Sequence, residues 1–237
     1  MRLDKLLADM GYGTRSEIRK ACRQNRITVN DAVIRDPSVH VDPEKDGIKA
    51  DGEEVLYTRF VYFMLNKPAG VISAVQDSRT TVIDLIDCSV RGLFPVGRLD
   101  LDTEGLLLIT NDGQLGHQLL SPRHHVEKEY IVTVKKPLKE SDVQRLEQGI
   151  VIDQGERCRP AFMKITDETV CHIILTEGKY HEIKRMFLAL DNEVTALKRI
   201  RMKHLLLDET LSPGEYRELT PEELADLKEL QLLPESE

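Results

Sequence analysis

The chain has 237 residues, of which 41% are apolar, 31% charged and 5% aromatic, with no Trp and a formal net charge of −8. That composition suits one large domain or two small ones. It is too poor in aromatics for a broad base-stacking platform and lacks any apolar run of the roughly 18 residues a membrane span needs. The N-terminus, MRLDKLLADMGYGTR, carries acids inside its apolar patch, which does not suit a secretory signal. Cys22, Cys88, Cys158 and Cys171 form no Cys-x-x-Cys pair, so they read as reduced structural thiols of a cytoplasmic protein rather than a zinc site.

The charge is unevenly spread. Residues 208–237 hold ten acids and two bases, which accounts for the whole net charge. Residues 1–35 carry a net +4, residues 36–58 swing to −5, and VTALKRIRMKH at 194–204 holds four bases and no acid. Local basic faces beside an acidic tail are compatible with a nucleic-acid partner, which the overall charge opposes.

In chain order, Leu3, Leu6, Leu7 and Met10 fall at helical spacing, and Gly11 and Gly13 stop that helix. Thr14 with Glu17 forms a capping box for a second helix. Its inner face is Ile18, Ala21 and Cys22; Arg15, Arg19, Lys20, Arg23 and Arg26 fall mostly on the other face. ITVND and AVIRD predict a strand pair turning at Asn30-Asp31. The acidic stretch VDPEKDGIKADGEE closes this unit, and a linker near residues 55–60 separates a domain at 1–58 from one at 59–237. There, strand-like runs (VYFMLNKP, GVISAV, GLLLIT, EYIVTVKKP, AFMKIT, TVCHIILTEG) are interspersed with helical ones (SDVQRLEQG, HEIKRMFLAL). They do not alternate as strict βαβ units, which predicts an α+β fold on a mixed, largely antiparallel sheet. Thr220-Pro221-Glu222-Glu223 is the N-cap of a last helix.

Residues 97–113, GRLDLDTEGLLLITNDG, place a charged turn directly before a buried strand, a common way to project a catalytic group from a rigid edge. If extended, Asp100 and Asp102 would point the same way about 7 Å apart. That resembles an inverting glycosidase pair, although nothing nearby uniquely supplies the raised pKa such an acid needs. Asp102 also suits a turn or cap.

The segments RLDKLLA, TRSEIRKAC and RITVNDAVI, in that order, resemble the S4 RNA-binding domain over about 50 residues. That domain has Gly where Asn25 stands and Asn-Gly where Asn30-Asp31 stands. The resemblance implies that the face bearing Arg15, Arg19, Lys20 and Arg23 neutralises phosphates of folded RNA, with strong salt dependence.

GRLDLDTEGLLLITNDG in turn resembles the signature of the pseudouridine synthases, in the branch that joins an S4 domain to the catalytic domain. FMLNKPAGVIS, SPRHHVEKEYIV, LTEGKYHEIKRMF and LSPGEYRELT match in order, so the resemblance spans nearly the whole chain. It implies isomerisation of a uridine to pseudouridine by base flipping, with no metal and no cofactor. SPRHHVEKEY is most similar to members acting on 16S (small-subunit) ribosomal RNA, free or in an assembly intermediate. The alternatives are 23S (large-subunit) RNA, or a non-catalytic assembly factor that kept the fold. The resemblance assigns the sugar-attacking carboxylate to Asp100, an ammonium partner to Lys184 and a uracil-packing ring to Tyr130. Ile183, Met186, Phe187 and Leu190 form the apolar stripe of the Lys184 helix; Lys184 flanks it and can reach a site at the domain's edge. Arg185 lies nearly opposite and is expected on phosphate or solvent. Arg98 is expected to support the flipped nucleotide, Lys67 to sit at the pocket rim, and His124 and His125 to touch RNA. The branch implies a monomer.

Overall fold

The computed structural model describes residues 1–229, so the end of the acidic tail lies outside it. The chain groups into two compact units, one of residues 1–61 with 87–93, the other of 62–86 and 94 onward. A single cut after residue 58 does not anticipate the return of 87–93 to the first unit.

The first unit opens with helices α1 (Leu3–Asp9) and α2 (Arg15–Arg23), followed by strands β1 (Ile27–Val29), β2 (Ala32–Val33), β3 (Ile48–Ala50) and β4 (Glu53–Glu54). The strands form an antiparallel sheet in the order β2-β1-β3-β4. Leu3, Leu6, Leu7, Ile18, Cys22 and Ile48 make its core. The Thr14–Glu17 capping box is formed, with Glu17 Oε2 accepting from the Thr14 backbone N–H at 2.7 Å. Asn25, Asn30 and Asp31 have φ of 60°, 51° and 62°. They therefore occupy the left-handed region that the S4 pattern fills with Gly or Asn-Gly, and short polar side chains tolerate it. The core also packs Val90, and the Arg91 N–H donates to Asp9 O at 3.0 Å.

The second unit is built on a nine-stranded sheet. In chain order its elements are β5 (Tyr62–Lys67), β6 (Phe94–Pro95), β7 (Glu104–Thr110), α3 (Gly113–Leu120), β8 (Lys128–Val134), α4 (Glu140–Glu147), β9 (Phe162–Asp167), β10 (Val170–Leu175), α5 (Glu182–Ala189), β11 (Val194–Met202), β12 (Leu205–Leu206), β13 (Tyr216–Glu218) and α6 (Pro221–Lys228). The strand order is β13-β5-β7-β11-β8-β10-β9, with β12 on β11 and β6 on β7. Among the described residues the β7–β11 pair is parallel and the rest of this sheet antiparallel. The fold is α+β, a small S4 unit followed by a mixed sheet. β5 is buried along its whole length, as a strand covered on both faces should be. β8 and β10 alternate, with Tyr130, Val132, Cys171 and Ile173 facing inward.

Two expectations change. GVISAV is not a strand; it makes a bridge between Ile72 and Thr81. Its Ser73 hydroxyl is spent on the Leu99 backbone, donating to the carbonyl at 2.9 Å and accepting from the N–H at 3.1 Å. Most of the basic stretch 194–204 is strand β11 (Val194–Met202), and three of its four bases, Arg199, Arg201 and Lys203, turn to the protein itself. Arg199 is 2% exposed and donates to Leu106 O at 2.7 Å. Arg201 pairs with Glu127 and Glu129, and Lys203 donates to Asp226 and Glu229 carbonyls. These charges are consumed by the protein itself.

Where β7 meets β11, Gly105 has φ +100°, and a methyl group there would overlap the Arg199 carbonyl. Gly70 also has positive φ, +84°, but a methyl there would meet open space. We expect Gly105→Ala to destabilise by about 3–4 kcal/mol and Gly70→Ala by about 1–2 kcal/mol, measured by urea unfolding.

Candidate active site

The chain enters β7 from a turn, Asp100 to Thr103, closed by the Thr103 N–H donating to Asp100 O at 3.1 Å. Asp100 and Asp102 are therefore not on one extended face. Three residues of FMLNKPAGVIS grip this turn. The Lys67 ammonium, wholly buried, donates to the carbonyls of Thr103 at 2.8 Å, Pro68 at 3.0 Å and Leu101 at 3.4 Å. The Gly70 N–H donates to Leu101 O at 2.7 Å, and Ser73 holds Leu99. Burial lowers the Lys67 ammonium to about 8, against the pull of Asp102 and Asp100. Lys67 is thus an internal clamp on the turn, not a rim residue for RNA. A buried cation persists there because its donors meet carbonyl oxygens.

The turn faces the start of α5, which folds because Ile183, Met186 and Phe187 bury one stripe. Lys184 Nζ lies 3.2 Å from Asp100 Oδ2 and 2.5 Å from Asp102 Oδ1. Burial pulls the Lys184 ammonium down, but its bonds to Asp102 and Asp100 outweigh this and raise it. The bond from Lys184 holds Asp102 below the usual carboxylate range. The ammonium occupies the space between the carboxylates where an inverting glycosidase would place water. That arrangement removes the paired-acid reading. Proximity of an ammonium favours the charged form of a carboxylate, as a nucleophile requires.

A cavity of about 90 Å³ opens beside this pair, walled by Asp100, Tyr130, Lys184, Leu175 and Leu197, with Arg98 on its lining. Tyr130 comes from β8 and is 9% exposed; Arg98 is exposed. The structure therefore brings Asp100, Lys184, Tyr130 and Arg98 to one place. Arg185 is not among them. Its guanidinium is tied to Asp153 at 2.5 Å and Glu156 at 2.8 Å, so neither arm of the fork is open for phosphate. His125 contacts Arg159 in the second unit.

Sequence reasoning missed His181, whose Nε2 lies 3.6 Å from Asp100 Oδ1. It caps α5 in a left-handed conformation, φ 48°, and its ring stacks on Tyr180 with centroids 3.8 Å apart. Its position next to the helix start was visible in HEIKRM; the backbone twist that turns it toward Asp100 was not. In the first unit, Arg15, Arg19, Lys20 and Arg23 are all exposed, whereas Arg26 is paired to Asp51 at 2.8 Å.

Comparison with known proteins adds an independent line. The profile of the RNA pseudouridylate synthase family matches residues 61–189, and that of the S4 domain residues 1–46. The chain is 47% identical to the Bacillus subtilis protein named "Uncharacterized RNA pseudouridine synthase YtzG", over 98% of this chain and 100% of that one. It is 38% identical to "Ribosomal small subunit pseudouridine synthase A" of Escherichia coli K12, over 96% of this chain and 100% of that one. The Haemophilus influenzae protein of the same name is 39% identical, over 96% and 99%. A solved structure entitled "Crystal structure of pseudouridylate synthase" is 38% identical, with a TM-score of 0.68 over 96% of this chain and 99% of that one.

The shared ammonium makes a direct prediction. Lys184→Met should raise Asp102 from its lowered position toward the ordinary carboxylate range, because the bond from Lys184 is the largest cause of the lowering, as followed by carboxyl-carbon NMR titration. An unchanged Asp102 titration would break the assigned Lys184 pairing.

Proposed function

Because the chain belongs to the RNA pseudouridylate synthase family, it is an isomerase acting on RNA, and we propose that its substrate is one uridine of 16S (small-subunit) ribosomal RNA, attacked through Asp100. The observation that carries the catalytic assignment is the Asp100–Lys184 contact at 3.2 Å on the wall of a cavity that Tyr130 also lines. The target assignment is supported by the small-subunit enzymes at 38–39% identity over nearly full length.

In the proposed scheme the uridine is extruded from its stack into the cavity, at a cost of a few kcal/mol. Arg98, exposed at the site, supports the displaced nucleotide. The Asp100 carboxylate attacks C1′, or removes the C2′ proton to leave a glycal; either route breaks the N1–C1′ bond. The freed uracil turns and C5 bonds to C1′, which expels the Asp100 carboxylate from C1′ or, on the glycal route, returns the proton to C2′; the proton on C5 then leaves and N1 ends protonated. No atom is gained or lost, so the net reaction calls for no oxidant or group donor. Lys184 keeps its charge throughout and balances the carboxylate. Tyr130, on the cavity wall, packs on the base and relays the C5 proton. The exposed Arg15, Arg19, Lys20 and Arg23 give the first unit an RNA-binding face.

Asp100→Asn should lower pseudouridine formation by at least about 10³-fold, within the range expected for loss of an essential reacting group, while RNA affinity stays within about twofold. Mapping pseudouridines in both ribosomal RNAs from cells with and without the protein tests the target. Loss of a site from 16S RNA supports the reading, loss from 23S RNA alone redirects it, and no tritium release from C5-labelled RNA favours a non-catalytic assembly factor. Removing two of the first unit's charges, Arg19→Ala with Arg23→Ala, should flatten the log–log salt dependence of RNA binding by roughly 1.5–2. The single-turnover rate at saturating enzyme should be unaffected.

A further inference from the structure

On the wall of the same cavity, next to Lys184, Glu177, Lys179 and Glu182 form a group of side chains that the scheme above does not use. Glu182, the first residue of α5, is 5% exposed. Its Oε2 accepts from the Lys179 N–H at 3.0 Å, but its Oε1 is buried with no hydrogen-bond partner. The Glu177 carboxylate faces it, and one oxygen from each and the Cys158 sulfur all lie within 4.8 Å of one another. Glu177 Oε1 accepts from the Arg159 N–H at 2.6 Å, and its Oε2 lies 3.5 Å from Lys179 Nζ.

A buried carboxylate beside a half-buried one does not ionise readily. If Glu182 carries a proton on Oε1, that otherwise unpartnered atom becomes a donor, and the Glu177 carboxylate, with an oxygen within 4.8 Å of a Glu182 oxygen, is the acceptor beside it. We propose that Glu182 is a positioning residue, which donates a carboxyl hydrogen bond to Glu177 and so fixes the start of α5 with His181 and Lys184 held against Asp100. The inference rests on the assignment of Asp100 as the reacting group.

The surroundings agree with this division. Burial, with the Glu177 carboxylate beside it, pushes Glu182 up to about 7. Glu177 is held below its usual range: burial opposes this, but the bonds from Glu182 and the Arg159 N–H outweigh it. The other charged or titratable groups facing Glu182 are Lys179 on the preceding loop, Cys158 on the loop before β9, and Lys128 on β8. Burial raises the Cys158 thiol to about 11, so it stays neutral, and Lys179 already supplies the positive charge that a metal ion would bring. A shared proton therefore fits this cluster better than a cation does.

The sign of the pH effect follows. The folded protein holds a proton that the unfolded chain releases in the ordinary carboxylate range. This stabilisation is present at low pH and is lost as pH rises through about 7. Above that, the hydrogen bond is gone and two like charges sit beneath the helix that carries His181 and Lys184.

The test compares the native protein with Glu182→Gln, whose amide is a neutral donor at every pH. Single-turnover isomerisation of ribosomal RNA at saturating enzyme is followed from pH 6 to 9. We expect the native rate to fall about tenfold more than that of the variant between pH 6.5 and 8.5, with RNA affinity unchanged in both. Difference infrared spectra at pH 6 should show a protonated-carboxyl stretch that Glu182→Gln removes. This readout needs no activity, so it separates failure of the Glu182 inference from failure of the Asp100 assignment. Superimposable pH profiles, absence of the carboxyl band, or a stoichiometric metal ion lost from Glu182→Gln would each overturn the inference.

Discussion

One ammonium ion between two carboxylates organises the active-site half of this protein. Lys184 stands on the first turn of α5 and reaches Asp100 and Asp102 on a turn far away in sequence. For that contact to exist, the turn must present its side chains outward from the edge of β7, and the helix must start at one fixed height against the sheet. Much of the local architecture serves those two requirements. Lys67, Gly70 and Ser73 grip the backbone of the turn from behind, while Glu182 and its neighbours anchor the helix start.

The two lysines at the site show how burial divides one residue type between two tasks. Lys67 has no exposed surface, and its ammonium meets only carbonyl oxygens of the segments it holds together. Lys184 keeps about a quarter of its side chain in solvent and meets two carboxylates. The first is a structural tie, with its charge partly suppressed by burial; the second is a counter-charge raised by its partners.

The local elements were legible because their signals are local. Thr14 and Glu17 sit three apart and form a capping box; Ile183, Met186 and Phe187 repeat at helical spacing and are buried. Charges were harder to place, because a sequence does not say which carboxylate will fold back onto which base. Arg185 and Arg201 read as available cations and are held by Glu156 and Glu129. Arg199 read as part of a basic surface and is a buried strand residue. The same blindness hid His181, whose approach to Asp100 depends on a left-handed backbone at a non-glycine residue. The pairing of Lys184 with Asp102 was also out of reach, because a charged turn in the sequence does not say which of its carboxylates a distant lysine will meet.

The excursion of residues 87–93 bears on how such a protein could be assembled from parts. The polypeptide leaves the S4 unit after residue 61, enters the sheet unit, and comes back to contribute Val90 to the first core and a backbone bond from Arg91 to Asp9 before departing again. A gene fragment ending at the obvious linker would encode an N-terminal piece with a gap in its hydrophobic interior. The matching downstream piece would carry an orphaned apolar loop. Shuffling these modules between chains therefore requires two compatible splice points rather than one, a restriction that favours inheriting the pair together.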